Sequence, residues 1–586
     1  MTPTWKRWDI APPMPRRQRE RLGHIHPVVA QVLFNRGIAD PAEAEAFLEG
    51  QGLFHDPFRM LGMPAAVERI RQAIGRGERI VVYGDFDADG VTATVLLVQG
   101  LTAFGADVRP YIPHRVDEGY GLNCDALRKI AEWGASLVIT VDCGIRSPHE
   151  VACGNALGLD MIITDHHSIF QGADGVDQLP PALAVINPKR QGDPYPFKDL
   201  AGVGIAFKLV QALLMAERRQ PIAAAPPALE ERDLLDLVAL GTVADLAPLL
   251  GENRLLVQRG LAGLRKPQRP GVQAMLEEAR LRPARVDATA IGFVLGPRLN
   301  AAGRLDTAEK SYRLLAAADA LSARPLADEL GRLNVERQQR TAEQVLLAKA
   351  QLEAAAADRL LLLAAHGDFH PGIVGLIAGR LTEEYYRPTL VAQIGPEETH
   401  GSGRSIPEFN ITAALDECKV LLICFGGHAA AAGFTVANEN LPALQARLEE
   451  IARRDLEGRD LIPSLAVDAV VPLSDVDFAL RDWLAKLEPC GYGNPQPVLA
   501  SLGLEILEAR PVGQDAQHLK LKVRDPAASG PAARLVVDAI AFRQAMWHGQ
   551  LPRRVDLAYT VELNEYNGEQ RLQLNVKDLR PTEKQR

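Results

Sequence analysis

The apolar run Met161-Ile162-Ile163-Thr164 ends abruptly in Asp165-His166-His167. The run reads as a buried β-strand whose tip carries a carboxylate and two imidazoles. Alone, the triplet fits a solvated loop as well as a metal site. Three further segments narrow the choice. Ile80-Val81-Val82-Tyr83-Gly84 leads into Asp85, Asp87 and Asp89, then Gly90 and a helical stretch from Val91 to Val98. Leu137 to Val141 leads into Asp142-Cys143-Gly144. Gly241-Thr242-Val243-Ala244-Asp245 follows an apolar, helical stretch from Leu234 to Leu240. Strands alternating with helices build a parallel sheet, and ligands bind beyond the carboxyl ends of its strands. Strands tipped with Asp and His therefore line acidic groups along one edge, where they repel unless a cation neutralises them. A solvated turn is the plain alternative for Asp85, Asp87 and Asp89. A calcium loop fits poorly, because the downstream bidentate Glu is missing. Together the segments favour a metal centre in an α/β domain.

Composition sets the outer bounds. The chain has 586 residues, 47% of them hydrophobic, enough for several cores; the length alone suggests about three to five domains. A net charge of −9 argues against a generally basic nucleic-acid coat. It leaves room for a local basic groove beside an acidic centre. The six cysteines, at 124, 143, 153, 418, 424 and 490, form no CxxC pair. Neither a zinc knuckle nor a disulfide framework is indicated. No apolar run long enough for a membrane span and no signal h-region occurs, so a cytoplasmic, reduced setting with no membrane partner is expected.

Along the chain, residues 1–60 read as an N-terminal appendage, with a basic arm (Arg16, Arg17, Arg19, Arg21) and a short helix from Pro41 to Leu48. Residues 61–250 carry the alternating strands and helices of a doubly wound parallel sheet. Residues 251–357 read as a helical connector, ending in a long helix from about Pro325 to Ala357. A second, smaller α/β unit covers 358–455, with strands at Leu360 to Ala364 and Pro388 to Ala392. The run Leu421 to Cys424 leads into a glycine loop. Residues 463–586 alternate apolar and polar positions: Leu519, Leu521 and Val523; then Val555, Leu557, Tyr559, Val561 and Leu563; then Leu572, Leu574 and Val576. Asn567-Gly568 offers a type I′ turn between the last two. The alternation supports antiparallel β, and a small barrel fits.

The four carboxylate segments, in this order, resemble the DHH phosphoesterase superfamily, and within it the RecJ family of bacterial single-strand-specific exonucleases. The likeness continues through Tyr111-Ile112-Pro113-His114-Arg115, Glu118-Gly119-Tyr120-Gly121, and Gly296-Pro297-Arg298-Leu299-Asn300-Ala301-Ala302-Gly303-Arg304. It extends to His370-Pro371-Gly372-Ile373-Val374-Gly375 and to Gly426-Gly427-His428 with Ala431-Ala432-Gly433, the signature of a DHHA1 domain. The resemblance implies a parallel-sheet DHH domain joined by a long helix to a DHHA1 domain, followed by an OB-fold barrel. It implies a 5′→3′ exonuclease that degrades single-stranded DNA to mononucleotides in DNA repair and recombination. A small-substrate DHH phosphodiesterase is the alternative, and a non-catalytic DNA-binding scaffold a remoter one. Single-strand-binding protein and a helicase are partners that the likeness suggests, as is a monomeric state.

The implied chemistry is two-metal phosphodiester hydrolysis. Carboxylates with one or two imidazoles suit Mn²⁺ or Mg²⁺, two ions in all; zinc would more often recruit thiolate or more imidazole. Asp87, Asp89, Asp142, His166 and Asp245 are the expected ligands, with Asp142 the bridge by family likeness. Asp85 is a ligand or an outer partner, and Asp165 orients its neighbours from behind. His167 faces the substrate, as a donor to the attacked phosphate or an aid to the leaving oxygen. Catalytic work thus falls to His167, Asp142 and Asp85. Substrate contacts are expected from Arg298, Asn300 and Arg304 in a turn-like segment, from the glycine loop Gly426, Gly427 and His428, and from a polar loop holding Ser402 and Arg404. The resemblance makes this last region, with Arg115, a pocket for the 5′ end. One departure stands out. Many DHH enzymes carry a histidine ligand four residues before Asp87, and here that residue is Tyr83.

Overall fold

The computed structural model describes residues 5–582 except 116, 120, 173, 223–226, 353–358 and 567–568. Tyr120, the end of the connecting helix at 353–357 and the turn at Asn567-Gly568 therefore lie outside the described residues.

The chain divides into two compact units. One comprises Leu53–Leu461 with Gly491–Gly493; the other comprises Met1–Gly52, Ile462–Cys490 and Asn494–Arg586. In the first, five parallel strands form a sheet in the spatial order Asp107–Tyr111, Arg79–Gly84, Ala135–Val141, Asp160–Thr164, Ala184–Ile186. Arg79–Gly84 and Ala135–Val141 are buried almost throughout, because helices cover both faces and no solvent side remains to be polar. The chain leaves the sheet centre in opposite directions from these two strands. Their carboxyl ends therefore frame a crevice, and Asp85–Asp89 and Asp142 are at its lips.

A helical stretch follows. Gly296–Leu305 is an α-helix, not the turn-like segment that its proline and glycines suggest. Pro297 sits in the first turn of that helix, where a missing N–H is tolerated. It has no N–H to donate to the Phe293 carbonyl, and the register slips there into a π turn over Ile291–Leu295. Ala320–Leu352 is one long helix that carries Pro325 near its start.

The smaller sheet of this unit runs Leu422–His428, Ala431–Ala437, Glu398–Arg404, Thr389–Ile394, Leu362–His366. Only the last pair is parallel. Two expectations change here. The polar segment holding Ser402 and Arg404 is a strand, Glu398–Arg404, and so is the expected glycine loop, Leu422–His428. Gly426 pairs with Gly433, Gly427 with Ala432, and His428 with Ala431. The glycines let two backbones approach: a Cβ on Gly427 would lie 2.2 Å from the Ala431 carbonyl oxygen.

In the second unit, Leu499–Val512, His518–Arg524, Val537–Ala541, Glu569–Pro581 and Arg554–Tyr566 pair in turn, and the last closes back on the first. The result is a closed five-stranded barrel around Leu519, Leu521, Val523, Leu557, Tyr559 and Leu574. The N-terminal segment belongs to this unit. Arg7–Ile10 pairs in parallel with Ser464–Val467, and Trp8 Nε1 donates to Asp578 Oδ2 at 2.7 Å. Pro41–Leu48 is helical, capped by Asp40. Among the described residues no helix is long and apolar enough to cross a membrane.

Candidate metal centre

Asp87 ends an extended segment and caps the helix Ala88–Ala103. Its Oδ1 accepts from the N–H groups of Asp89 and Gly90, at 2.9 and 3.1 Å. That leaves the other carboxylate oxygen for a ligand. Asp89 lies in the first turn, buried, and both its oxygens accept from the start of the helix Gly202–Arg219: Gly202 N–H at 2.7 Å and Val203 N–H at 2.8 Å. Helix N-termini favour anions, and here one helix end holds the carboxylate in place. Asp142 terminates its strand with φ 63°, a left-handed conformation that Asp tolerates better than most residues. Gly202 is pressed against it; a Cβ there would stand 2.7 Å from the Asp142 Cβ.

His166 Nε2 lies 3.0 Å from Asp142 Oδ1, 3.6 Å from Asp245 Oδ2 and 4.0 Å from Asp89 Oδ2. Asp245 arrives from elsewhere, as the residue closing the helix Leu235–Ala244. Asp165 works from behind. Its Oδ2 accepts from Ile145 N–H at 3.0 Å, and its Oδ1 sits 2.7 Å from His167 Nδ1 and also accepts from the His167 N–H. With Nδ1 so held, Nε2 is the His167 nitrogen able to serve a ligand.

Three overlapping sets of donors result: Asp142, His166 and His167; Asp89, His166 and Asp245; Asp85, Asp87 and Asp142. Within each, ligand atoms lie within 4.8 Å of one another. Buried Asp85 Oδ1, Asp142 Oδ1 and His166 Nε2 make no hydrogen bond among the described residues. Buried polar atoms are rarely left so. Oxygen and imidazole donors converging with unsatisfied lone pairs fit hard divalent cations of the Mn²⁺ and Mg²⁺ type.

The electrostatics agree. Burial, and then the neighbouring carboxylates, push Asp85 and Asp142 well above the usual carboxylate range. The same causes raise Asp89 to about 7 and Asp245 to about 9. Burial, then the charge of His167, holds His166 down at about 3, a neutral imidazole suited to ligation. Asp165 differs: against the effect of burial, the hydrogen bond from His167 keeps it at about 2. Burial opposes the charged form of His167 as well, but Asp165 raises it above the ordinary imidazole value.

Arg115 and Arg304 lie within electrostatic reach of the carboxylates, and Arg404 within reach of Arg304. Arg115 stacks over the Phe86 ring at 4.1 Å, and its Nε is buried without a hydrogen bond. Burial lowers it while Asp85 and Asp87 pull the other way. Arg304 Nη1 donates to the Gly372 carbonyl at 3.1 Å. Burial, then the repulsion of Arg115, Arg337 and others, lowers it to about 9. Arg404 Nη1 donates to Ser402 Oγ and the Gly403 carbonyl, both at 2.8 Å. Asn300 Oδ1 accepts from Ala88 N–H at 2.8 Å, which ties it to the Asp87 turn. Arg298 stays apart, paired with Glu278 at 2.6 Å. His428 is lowered by burial and then by the charges of Arg146, His167 and Lys189, so the strand end of the smaller sheet lies within electrostatic reach of the centre. Tyr83, at the position of the missing histidine, donates its hydroxyl to the Gly121 carbonyl at 2.9 Å and stacks on Tyr111.

Asn187 and Lys189 were not anticipated. Asn187 Nδ2 donates to the His167 carbonyl at 2.9 Å and Lys189 Nζ to the His166 carbonyl at 2.6 Å. Both follow the strand Ala184–Ile186. The rule that strand tips bear the site would have marked them, had three residues been long enough to read as a strand.

A doubly wound domain with an Asp/His-tipped edge, followed by a small mixed sheet that carries Ser402, Arg404 and His428, defines a DHH phosphoesterase. Residues 79–242 match the DHH family N-terminal domain, 357–454 the DHHA1 domain, and 467–578 the RecJ OB domain. The chain is 38% identical to the single-stranded-DNA-specific exonuclease RecJ of Bacillus subtilis, over 98% of this chain and 70% of that one. It is 36% identical to RecJ of Escherichia coli, over 95% and 96%. The crystal structure of RecJ from Thermus thermophilus in complex with Mn²⁺ superimposes with a TM-score of 0.82 at 32% identity, covering 99% of this chain and 80% of that one. The chain belongs to the RecJ family of exonucleases.

Proposed function

We propose that this protein is a 5′→3′ exonuclease that hydrolyses single-stranded DNA to mononucleotides, in repair and recombination, with two divalent ions. The observation that carries the reading is the convergence of Asp85, Asp87, Asp89, Asp142, His166, His167 and Asp245 at one sheet edge, with three buried donor atoms unsatisfied. Asp87, Asp89, Asp142, His166 and Asp245 would hold Mn²⁺ or Mg²⁺. When bound, such ions supply activation of the attacking water and relief of phosphate charge.

The chain's own groups do the rest. Asp165 orients His167 and shifts it towards its charged form, in which its ring would donate to a phosphate oxygen. Asp85 lies within electrostatic reach of Arg115, Asp87 and His167. Arg115, Arg304 and Arg404, with Ser402, offer charge-assisted donors for a terminal 5′-phosphate. Gly426, Gly427 and His428 present a strand edge and an imidazole towards the same space. An end pocket lined by half-buried arginines would favour exonucleolytic over internal cleavage. Arg298, held by Glu278, serves in the proposal only by steadying its helix. On family likeness alone, the proposal extends to a single-strand-binding protein and a helicase as partners, to a monomer, and to the cytoplasm.

A phosphodiesterase of small substrates would need only the two α/β sheets, whereas this chain also carries the barrel. Turnover on a dinucleotide and on a long strand separates the two: the proposal expects the long strand to be the far better substrate, and preference for the dinucleotide would refute it.

A further inference from the structure

Asp245 is followed by a residue that its backbone does not favour. Leu246 has φ 58°. Its N–H donates to the Val243 carbonyl, and the Ala247 N–H to that of Thr242, both at 3.2 Å. This is a helix stop built on a left-handed residue, where glycine is the usual occupant because a Cβ is strained there. Leucine gains nothing from packing in return: Leu246 is 68% exposed.

The π turn Ile291–Leu295 abuts the same helix end. A Cβ on Gly296 would lie 3.2 Å from that of Ala244, and one on Gly292 4.0 Å from Val243 Cγ1. On this turn Phe293 is 80% exposed. π turns concentrate at functional sites. The chain continues directly into the helix that carries Asn300, hydrogen-bonded to the Asp87 turn, and Arg304. Single exposed apolar residues are ordinary. Here two large ones flank the end of the helix that delivers a candidate ligand, one at the cost of backbone strain and the other on an irregular turn. Strain held at such a place points to a role outside folding.

We propose that Leu246 and Phe293 form an apolar lip that takes the face of an unpaired nucleobase of the strand being hydrolysed. The inference rests on the reading of the chain as a single-strand nuclease. Every base offers a π face once it is unpaired, so an aromatic lip binds single strands without reading sequence. In a duplex those faces are stacked and covered. The lip therefore adds a preference for single strands beside the carboxylates themselves.

The test uses the full chain with Mn²⁺ and two strands of equal length: oligothymidylate, and the same strand with abasic residues at its 5′-terminal positions. Phe293→Ala should raise KM on oligothymidylate by about 5- to 150-fold, the range of base–aromatic stacking. It should leave the abasic strand cleaved as by wild type, and Phe293→Trp should restore the lost binding. Leu246→Gly relieves the left-handed strain, so its Tm should hold or rise while KM on oligothymidylate rises; a merely structural leucine would not separate the two. Equal losses on both strands, or no loss on either, would overturn the lip. Digestion of the abasic strand by wild type upholds the nuclease reading whatever becomes of the lip. Wild type that digests neither strand would overturn both.

Discussion

Asp165 Oδ1 and His167 Nδ1 lie 2.7 Å apart, and the carboxylate is almost wholly buried. Each partner shifts the other towards its charged form. Asp165 is depressed to about 2, so its contribution is complete above the ordinary carboxylate value and fades as pH falls towards 2. His167 is raised, so its contribution is complete below the ordinary imidazole value and fades as pH climbs through the raised one. The pair therefore stabilises the fold fully between about pH 4 and 6.5. In metal-free protein, Asp165→Asn should cost about 3 kcal/mol at pH 5.5, as loss of one partner in a buried pair does. Urea unfolding at pH 5.5 and pH 9 measures it; an equal cost at both would deny the pairing.

The carboxylates of the centre also lose their contribution as pH rises, starting from a lower pH. Asp89 at about 7 and Asp245 at about 9 stand above their unfolded values, so their contribution is present below about pH 4 and lost as pH rises through 7 and 9. A divalent cation removes that penalty. The gain in Tm on adding Mn²⁺ to EDTA-treated protein should grow from pH 5.5 to pH 8.5. A gain that shrinks with pH would contradict the assignment.

Gly202→Ala should damage the site from outside the ligand set. Its Cβ would meet Asp142 at 2.7 Å, and its N–H is the donor to Asp89 Oδ2. Displacing both carboxylates should weaken Mn²⁺ affinity about 10- to 100-fold, the effect typical of supporting groups around a metal. Calorimetric titration with Mn²⁺ reads this directly, and unchanged affinity would show that the helix start does not position the ligands.

Arg404→Ala and Arg115→Ala should weaken action on 5′-phosphorylated strands about 10- to 100-fold, the worth of a charge-assisted hydrogen bond. Strands with a 5′-hydroxyl should lose much less. Equal losses on both ends would argue against the terminal pocket.

Much of this site is visible in sequence because its residues close regular elements. Asp85, Asp142 and Asp165-His166-His167 end strands whose buried runs are unbroken apolar segments, and Asp245 ends an apolar helix. Where the signal is not local, it fails. Ala184–Ile186 is too short to show a period, which hides Asn187 and Lys189. Gly426 and Gly427 read as a flexible loop because no side chain marks the strand; their pairing depends on Gly433 and Ala432 across the hairpin. The pairing of Arg7–Ile10 with Ser464–Val467 joins segments more than 450 residues apart and leaves no trace in either. Arg298 resembles Arg304 in sequence, and only the position of Glu278 separates their roles.

A divalent ion at the Asp/His edge should drive hydrolysis of single-stranded DNA from its 5′ end. Digestion of a 5′-labelled strand with Mn²⁺ or with EDTA, beside a 3′-labelled strand and an RNA strand, tests it most directly. With Mn²⁺ the 5′ label should be released at once as mononucleotide and the 3′ label should appear last, and EDTA should stop both. Asp87→Ala or His166→Ala, folded as wild type by circular dichroism, should lose about a thousand-fold, the several kcal/mol that such ions contribute. First release from the 3′-labelled strand, digestion in EDTA, or retained activity in either variant would contradict it.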